Sequence, residues 1–397
     1  MRSRTMALTS AGLSPSELGE ISRAAGRDPD LALAFLPATP DLGRELDTLA
    51  AAWPESLRVG CEASSQLVDG ISTTEGCVQA FWFDPPEPPG QPARRPEAIV
   101  LEGSFDHPPA EPEIAAFAGR LAEADGVLLL ADGLRFPAER LLADLGARLD
   151  PRALRIAGGL ASSTFSAPTV SIGGLGARVF CDRQIFPSAC LAVLLYGVDM
   201  QVEVIRGWNP ASPIYAVTRA EGTVLYEIEG QPATDWYRRF FTVRGALLPL
   251  PEASQGFPLI IVGPASGRQG LYRSLRAFDQ PVGAVTLWGK IETGDQVRMG
   301  MFGGGDGNAL LETLEAATGR THSGEAPVEA AILCSCVGRQ AALGEKMEEE
   351  ITAIHRALAG ASLSGFFSLG EIGPSDDASP AFYNHTAVLV LLREGAP

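Results

Sequence analysis

The sequence predicts an α/β protein of mixed sheets covered by helices, built from repeated strand-helix-strand-strand units in two packed domains. Three observations carry this. One strand-helix-strand grammar returns three times along the 397 residues, and such a repeat fixes architecture before any local assignment. Glycine (44) and proline (30) are abundant enough to separate many short elements. The length itself corresponds to two or three domains at about 150 residues each.

The first copy predicts a strand over Leu31-Ala-Leu-Ala-Phe-Leu36, a helix from Leu42 to Ala52, a strand over Leu57-Arg-Val-Gly-Cys61 and then the small polar stretch Glu62-Ala-Ser-Ser65. Short apolar runs bounded by turn residues read as buried strands, and apolar residues at helical spacing give the helix one buried face. The second copy has a strand over Gly126-Val-Leu-Leu-Leu-Ala131, a helix from Ala138 to Arg148 and a strand over Leu154-Arg-Ile-Ala-Gly158, followed by Gly159-Leu-Ala-Ser-Ser163. The third runs from Ala330-Ala-Ile-Leu-Cys-Ser335 through one helix, Leu343 to Leu358, to Leu363-Ser-Gly-Phe-Phe-Ser368 and the turn Leu369-Gly-Glu-Ile-Gly-Pro374. Each copy closes on an apolar strand: Val78 to Phe83, Ala192 to Tyr196 and His385 to Leu392. The closing strand follows its small-residue turn too closely for a helical crossover, so that pair is expected to be antiparallel.

A weaker fourth copy is read at Pro258-Leu-Ile-Ile-Val262 and Val282 to Glu292, the latter resembling Ser364 to Ile372. Pro85-Pro-Glu-Pro-Pro-Gly-Gln-Pro92 fits neither ladder nor helix and reads as a surface loop. Gly207-Trp-Asn-Pro-Ala-Ser-Pro213 punctuates the middle of the chain and divides it into domains 1–212 and 213–397.

The formal net charge of −17 and the pI near 4.7 exclude nucleic acid and anionic membrane as partners, because both select basic faces. Lys290 and Lys346 are the lysines; every other cation is arginine, so amine chemistry has two candidates. The first residues lack the apolar run of a signal peptide, and no window reaches the length of a membrane span. The expectation is a cytoplasmic protein with no integral membrane segment and its six cysteines reduced.

The strand-to-turn junctions are small and polar in every copy: Cys61, Ser64 and Ser65; Ser162, Ser163 and Thr164; Ser368, Gly370 and Glu371. Open α/β sheets place ligand crevices at such junctions, where small side chains let backbone amides approach a bound group. Tight-turn formation is the plainer account of the same residues. Cys61 would need a base to become a nucleophile, and no histidine neighbours it in sequence, so a packed thiol is the better reading. Cys334-Ser-Cys336 faces one side of a strand and lacks the second ligand pair of a zinc site. Tyr383-Asn-His-Thr386 brings polar groups to the start of an apolar strand near Glu371; Asn384, His385 and Glu371 line a pocket or else satisfy one another. A neutral His385 imidazole near aromatics also meets the minimum for haem ligation. His107 reads as loop surface, and Glu348-Glu-Glu350 and His355 as a solvated helix face.

Phe302-Gly-Gly-Gly-Asp-Gly-Asn308 lies between a strand, Gln296 to Met301, and a helix, Ala309 to Ala317. It lacks both the dinucleotide fingerprint and the P-loop lysine, so helix capping by Asp306 or Asn308 accounts for it. No Ser-His-Asp set, metal cluster or carboxylate pair stands out, which favours binding over chemistry.

These residues resemble a known family. Gly365-Phe-Phe-Ser-Leu-Gly-Glu-Ile-Gly-Pro374 followed by Phe382-Tyr-Asn-His-Thr386 looks like the end of the FIST C-terminal domain. Val59-Gly-Cys-Glu-Ala-Ser64 is similar to the strand-closing turn of the FIST N-terminal domain, and Val224 to Ala233 resembles the stretch ending in its Gly-x-Pro-Ala turn. The resemblance implies an intracellular sensory protein that binds a small ligand such as an amino acid and signals to a separate protein; the junction chemistry read above makes Cys61, Ser64, Ser65, Ser162, Ser163, Gly370, Glu371, Tyr383, Asn384 and His385 its expected ligand contacts. A haem-based nitric-oxide sensor is the alternative it implies; an enzyme using Cys61 or Glu371 is a third reading. The departure from the family is Cys61-Glu-Ala-Ser-Ser-Gln66, which lacks the Gly-Glu that often follows.

Overall fold

The computed structural model describes residues 1–9, 12–83, 94–150, 152–163, 177–243, 246–247, 254, 256–263, 270–302 and 327–394. It is a mixed α/β fold with three six-stranded sheets that share one plan. At the centre of each sheet is a parallel pair: Leu31–Pro37 with Leu57–Ala63, Gly126–Asp132 with Arg155–Ala161, and Ala330–Cys336 with Ser362–Ser368. Parallel strands need a crossover, and helices Leu42–Ala52 and Ala138–Gly146 supply it in the first two units. In the third, the expected single helix is two, Val337–Leu343 and Lys346–Ala357, broken at Gly344 with φ +53°.

The closing strands, Cys77–Trp82, Ala189–Leu195 and Ala387–Glu394, are antiparallel as expected but lie against the first strand of each pair, not the second. An outer strand completes each sheet on that side: Arg2–Ala7, Glu97–Glu102 and Val198–Ile205. The second strand is unavailable because its free edge is filled from another unit. A hairpin leaves each unit after its second strand and joins a neighbour's sheet. Gln66–Val68 with Ile71–Thr73 docks on Ser362–Ser368; Val179–Cys181 with Gln184–Phe186 docks on Leu57–Ala63; Glu371–Pro374 with Pro380–Tyr383 docks on Arg155–Ala161. The three units thus exchange hairpins in a closed cycle, and the stretch read as the turn Leu369 to Pro374 is partly sheet.

The glycines in the repeated fragments lie inside the second strands. A Cβ at Gly60, Gly158 or Gly365 would stand 1.7, 1.9 or 2.0 Å from the carbonyl oxygen of Ala34, Leu129 or Leu333 on the parallel neighbour. Absence of a side chain is what lets the two strands approach at these matched positions. The inner sheet faces meet in a common core containing Phe35, Cys61, Cys77, Leu130, Ala157, Cys334, Phe366 and Val388. Phe35 and Phe366, from different units, have ring centroids 4.8 Å apart. The crossover helices cover the outer faces through Leu42, Leu46 and Leu49; Leu141, Leu142 and Leu145; and Met347, Ile351 and Ile354.

Between Val198–Ile205 and Ala330–Cys336 the chain makes a nine-stranded antiparallel sheet, from Trp208–Pro210 to Gln296–Phe302, with helix Ala233–Phe241 against it. The fourth copy read from the sequence is absent: Leu259–Gly263 and Ala284–Leu287 are antiparallel strands of this sheet, with no parallel partner among the described residues. The division expected at 212/213 falls between Trp208–Pro210 and Tyr215–Glu221. Thr164, the proline loop 85–92, the motif after Phe302 and the helix expected at 309–317 lie outside the described residues. Among the described residues no helix is long and apolar enough to cross a membrane.

Candidate functional site

The ends of the parallel strands converge where the hairpins cross between units. Ser162 bridges them: its hydroxyl donates to the Phe367 carbonyl at 2.5 Å and accepts from the Ser64 amide at 2.9 Å. The Ser162 amide donates to the Glu62 carbonyl at 3.0 Å, and the Leu160 amide to the Gly370 carbonyl at 2.8 Å. Ser65 meets Gln340, whose Nε2 lies 3.1 Å from the serine oxygen. Ser162 and Ser65 are buried, Ser64 and Ser163 half-buried. Residues from all three units therefore share one polar seam.

Glu371 begins the hairpin that crosses to the second sheet, and its side chain is fully buried. Its Oε1 accepts from the Ser368 hydroxyl at 2.6 Å; its Oε2 accepts from the Thr386 hydroxyl at 2.9 Å and the Thr386 amide at 3.3 Å. Burial pushes its carboxyl up to about 8, the hydroxyl and amide donors working against that shift. Ser368 can also donate to the Ser335 carbonyl, 3.2 Å away, so its hydroxyl has a place to turn when the carboxyl holds a proton.

His385 lies in a turn with φ +56°, and the last strand starts two residues later, at Ala387. The residue is 1% exposed, and neither ring nitrogen has a hydrogen-bond partner among the described residues. Trp208 packs edge-on at 4.8 Å, while the indole Nε1 donates to the His385 carbonyl at 2.6 Å. Gly338 is pressed against the imidazole: a Cβ there would meet Cε1 at 2.8 Å. Burial, reinforced by the Arg339 charge, lowers His385 to about 3, so the ring is neutral at physiological pH. Asn384 is 1% exposed, with Oδ1 accepting from the Ser274 amide at 3.4 Å; the Tyr383 hydroxyl donates to the Pro374 carbonyl at 2.8 Å.

Cys61 belongs to the central core rather than to the polar seam. It is fully buried, and burial raises its pKa well above the ordinary thiol value, the reverse of what activates a nucleophile. Cys334 and Cys336 are likewise free, buried thiols. His107 is exposed. The solvated face expected over Glu348 to Glu350 needs correction: helical spacing turns Glu350 inward with Met347 and Ile351, and it pairs with buried Arg339 at 2.9 and 2.6 Å. His355 is half-buried over Gly70 and lines a shallow groove of about 640 Å³ with Arg4, Glu17, Glu20 and Asp69.

The three described histidines do not fit haem. His385 is closed in by Trp208 and Gly338, the groove beside His355 is polar and acidic, and His107 sits on an exposed loop. Among the described residues no group of three metal-ligating side chains is assembled.

Sequence reasoning missed four contributors. Arg178 clamps the buried Glu62 carboxylate at 2.5 and 2.7 Å; Trp208 and the fully buried Arg273 donate to backbone carbonyls of the 382–386 stretch, and the Arg339 charge acts on the His385 ring. A tryptophan between glycine and a proline-rich turn, Gly207-Trp-Asn-Pro210, was the one local signal available.

Two family descriptions match the chain: FIST N domain over residues 30–231 and FIST C domain over residues 233–374. The uncharacterized protein Rv0628c of Mycobacterium tuberculosis is 30% identical over 254 residues, covering 62% of this chain and 63% of the relative. The uncharacterized protein Mb0898c of Mycobacterium bovis is 30% identical over 223 residues, covering 54% of this chain and 56% of the relative. The matches thus span less than two thirds of these relatives' own length. With both domain types matched in order along one chain, the protein belongs to the FIST family, whose domains are associated with signal transduction and small-ligand sensing.

Proposed function

We propose that this protein is a cytoplasmic sensor that binds a small ligand, an amino acid or similar metabolite, at the polar seam and signals to a separate protein. Ser64, Ser65, Ser162 and Ser163, from the 1–212 domain, would contact the ligand together with Gly370, Glu371, Tyr383, Asn384 and His385 from the 213–397 domain. Cys61 lines the core beneath them. The observation that carries the reading is His385, a buried imidazole whose donor and acceptor both lack a partner among the described residues. Each unmet group costs about 1–3 kcal/mol in the interior, which a ligand supplying the matching groups would recover. Six free cysteines suit the reducing cytoplasm, and the acidic surface suits a partner with a basic face.

The test is native mass spectrometry of the purified protein for a copurifying molecule, followed by thermal-shift titration with the free amino acids. A ligand at about a hundred times its Kd stabilises the fold by about 2.7 kcal/mol. The expected result is a stabilising ligand whose effect disappears in both His385→Ala and Glu371→Gln. Absence of any bound molecule and any shift, or a shift that survives both substitutions, defeats the proposal. A Soret band after haem reconstitution, lost with one histidine, would replace it with the gas-sensor reading.

A further inference from the structure

The nine-stranded sheet meets the three-unit body around residues 382–386. The Phe382 carbonyl accepts from Arg273 Nη1 at 3.4 Å, the Asn384 side chain from the Ser274 amide at 3.4 Å, and the His385 carbonyl from the Trp208 indole at 2.6 Å. Beside them Glu139, in the first turn of helix Ala138–Gly146, takes both Arg273 Nη2 at 2.8 Å and the Lys290 amide at 2.6 Å. Tyr383 inserts into the sheet's own core with Val217, Leu275 and Val285. Every acceptor in this set is on the body and every donor on the inserted sheet, while Arg273 also keeps acceptors within its own sheet, the Lys290 carbonyl at 2.8 Å and the Tyr272 carbonyl at 3.0 Å.

The sheet has what it needs to keep its shape apart from this contact. Its core, which includes Val217, Leu225, Ile228, Leu259, Ile261, Val285 and Val297, is distinct from the three clusters under the crossover helices. Its ladders close within itself. The polar clasp is a different kind of join: it pairs the fully buried Arg273 guanidinium with a part-exposed Glu139 carboxylate at 2.8 Å, a charge contact made across the junction rather than within either part.

We propose that residues 382–386 and Glu139 form a clasp on which the inserted sheet docks, and that the sheet releases from it as one piece, its docking being the output of the site at His385. The last step rests on the ligand-site reading given above. The two functions share atoms of one turn: the His385 carbonyl and the Asn384 amide oxygen hold the sheet, the His385 ring packs against Trp208 and Gly338, and Thr386 donates to Glu371. A ligand that interacts differently with the docked and released turn shifts the balance between them.

The test is hydrogen exchange by mass spectrometry on the full chain carrying Trp208→Phe, which removes the indole donor and keeps the ring, or Glu139→Gln, which removes the charge and keeps the size. The expected result in Trp208→Phe is exchange about tenfold faster at Ser274 and Lys290 together, since local opening exposes a cooperative unit as a whole. Strands Leu31–Pro37 and Val224–Ile228 should keep their protection. Acceleration confined to the neighbourhood of residue 208 overturns the clasp, and so does a uniform rise in body and sheet alike. Should Glu139→Gln fail to fold, Trp208→Phe decides alone. No ligand enters the experiment, so its failure leaves the ligand-site reading standing, and an empty ligand search leaves this result standing.

Discussion

Gly60→Ala should be among the most damaging single-methyl changes in the protein. The added Cβ would lie 1.7 Å from the Ala34 carbonyl oxygen and 2.7 Å from Phe180 Cζ, where real contacts stay above about 3.0 Å. The strand must therefore retreat by about 1.3 Å from its parallel neighbour, and Phe180 blocks part of that movement. Strands pair at about 4.8 Å. A shift of that size stretches the flanking N–H···O bonds past the length at which they hold. Losing about two buried bonds, at about 1 kcal/mol each plus the cost of groups left unpaired, gives about 3–5 kcal/mol. Gly158→Ala and Gly365→Ala meet the same obstacle at 1.9 and 2.0 Å and should fall in the same range. The assay is urea unfolding followed by tryptophan fluorescence and far-UV circular dichroism. Gly119→Ala is the control: it is exposed in helix Glu111–Leu121 with nothing within 4 Å of the new methyl, and should stabilise by about 0.5–1 kcal/mol. If Gly60→Ala and Gly365→Ala both unfold within about 0.5 kcal/mol of the wild type, the steric account of the repeated glycine is wrong.

Two further outcomes follow from buried titratable groups. Glu371 keeps its proton to about pH 8 when folded against 4.5 as its ordinary value, so the folded chain binds more protons across that window and its stability falls as pH rises through it. His385, lowered to about 3 from 6.5, gives the opposite slope below 6.5, which leaves the interval from 6.5 to 8 to Glu371. The unfolding free energy there should decline by up to about 1.4 kcal/mol per pH unit, read from urea unfolding at each pH, and flatten in Glu371→Gln; an unchanged slope in the variant excludes the assignment. Burial raises every thiol but leaves Cys181 half-buried, at about 11, so a maleimide at pH 7.5 should label Cys181 first and the other five only on unfolding. Early native labelling of Cys61 would revive the enzyme reading.

Much of the fold was legible because its signals are local. The helix Leu42–Ala52 has the bounds the sequence suggested, since an apolar stripe at 42, 46 and 49 ends where Trp53-Pro54 begins. The repeated strand pairs followed from runs such as Leu31–Pro37 that are buried on both faces. What escaped was partner choice. Gln66–Val68 and Ile71–Thr73 look like a turn within one unit, yet they pair with a strand almost three hundred residues away, and nothing in three-residue strands specifies that edge. The same limit hid Arg178 from Glu62 and Arg339 from the 382–386 stretch, whereas Thr386 and Glu371 were read as neighbours because a short hairpin joins them.

The repeat has a sharper use once the hairpin cycle is known, because equivalent positions can be compared within one chain. Gln66 and Glu371 each stand three residues past the end of a second strand, at the start of an exchanged hairpin. Both side chains turn back on that strand end. The Gln66 amide donates to the Ala63 carbonyl at 3.0 Å, whereas the Glu371 carboxyl accepts from the Ser368 hydroxyl at 2.6 Å. One geometry thus holds a neutral donor in the first unit and an ionisable acceptor in the third. Folding alone requires only the capped strand end, which glutamine provides without a titratable group in the interior. The third unit carries the costlier version, near an imidazole with no hydrogen-bond partner among the described residues and close to the Trp208 indole that donates to the His385 carbonyl. Departure from the internal symmetry, rather than the symmetry itself, is therefore what favours the third unit as the place of the proposed site.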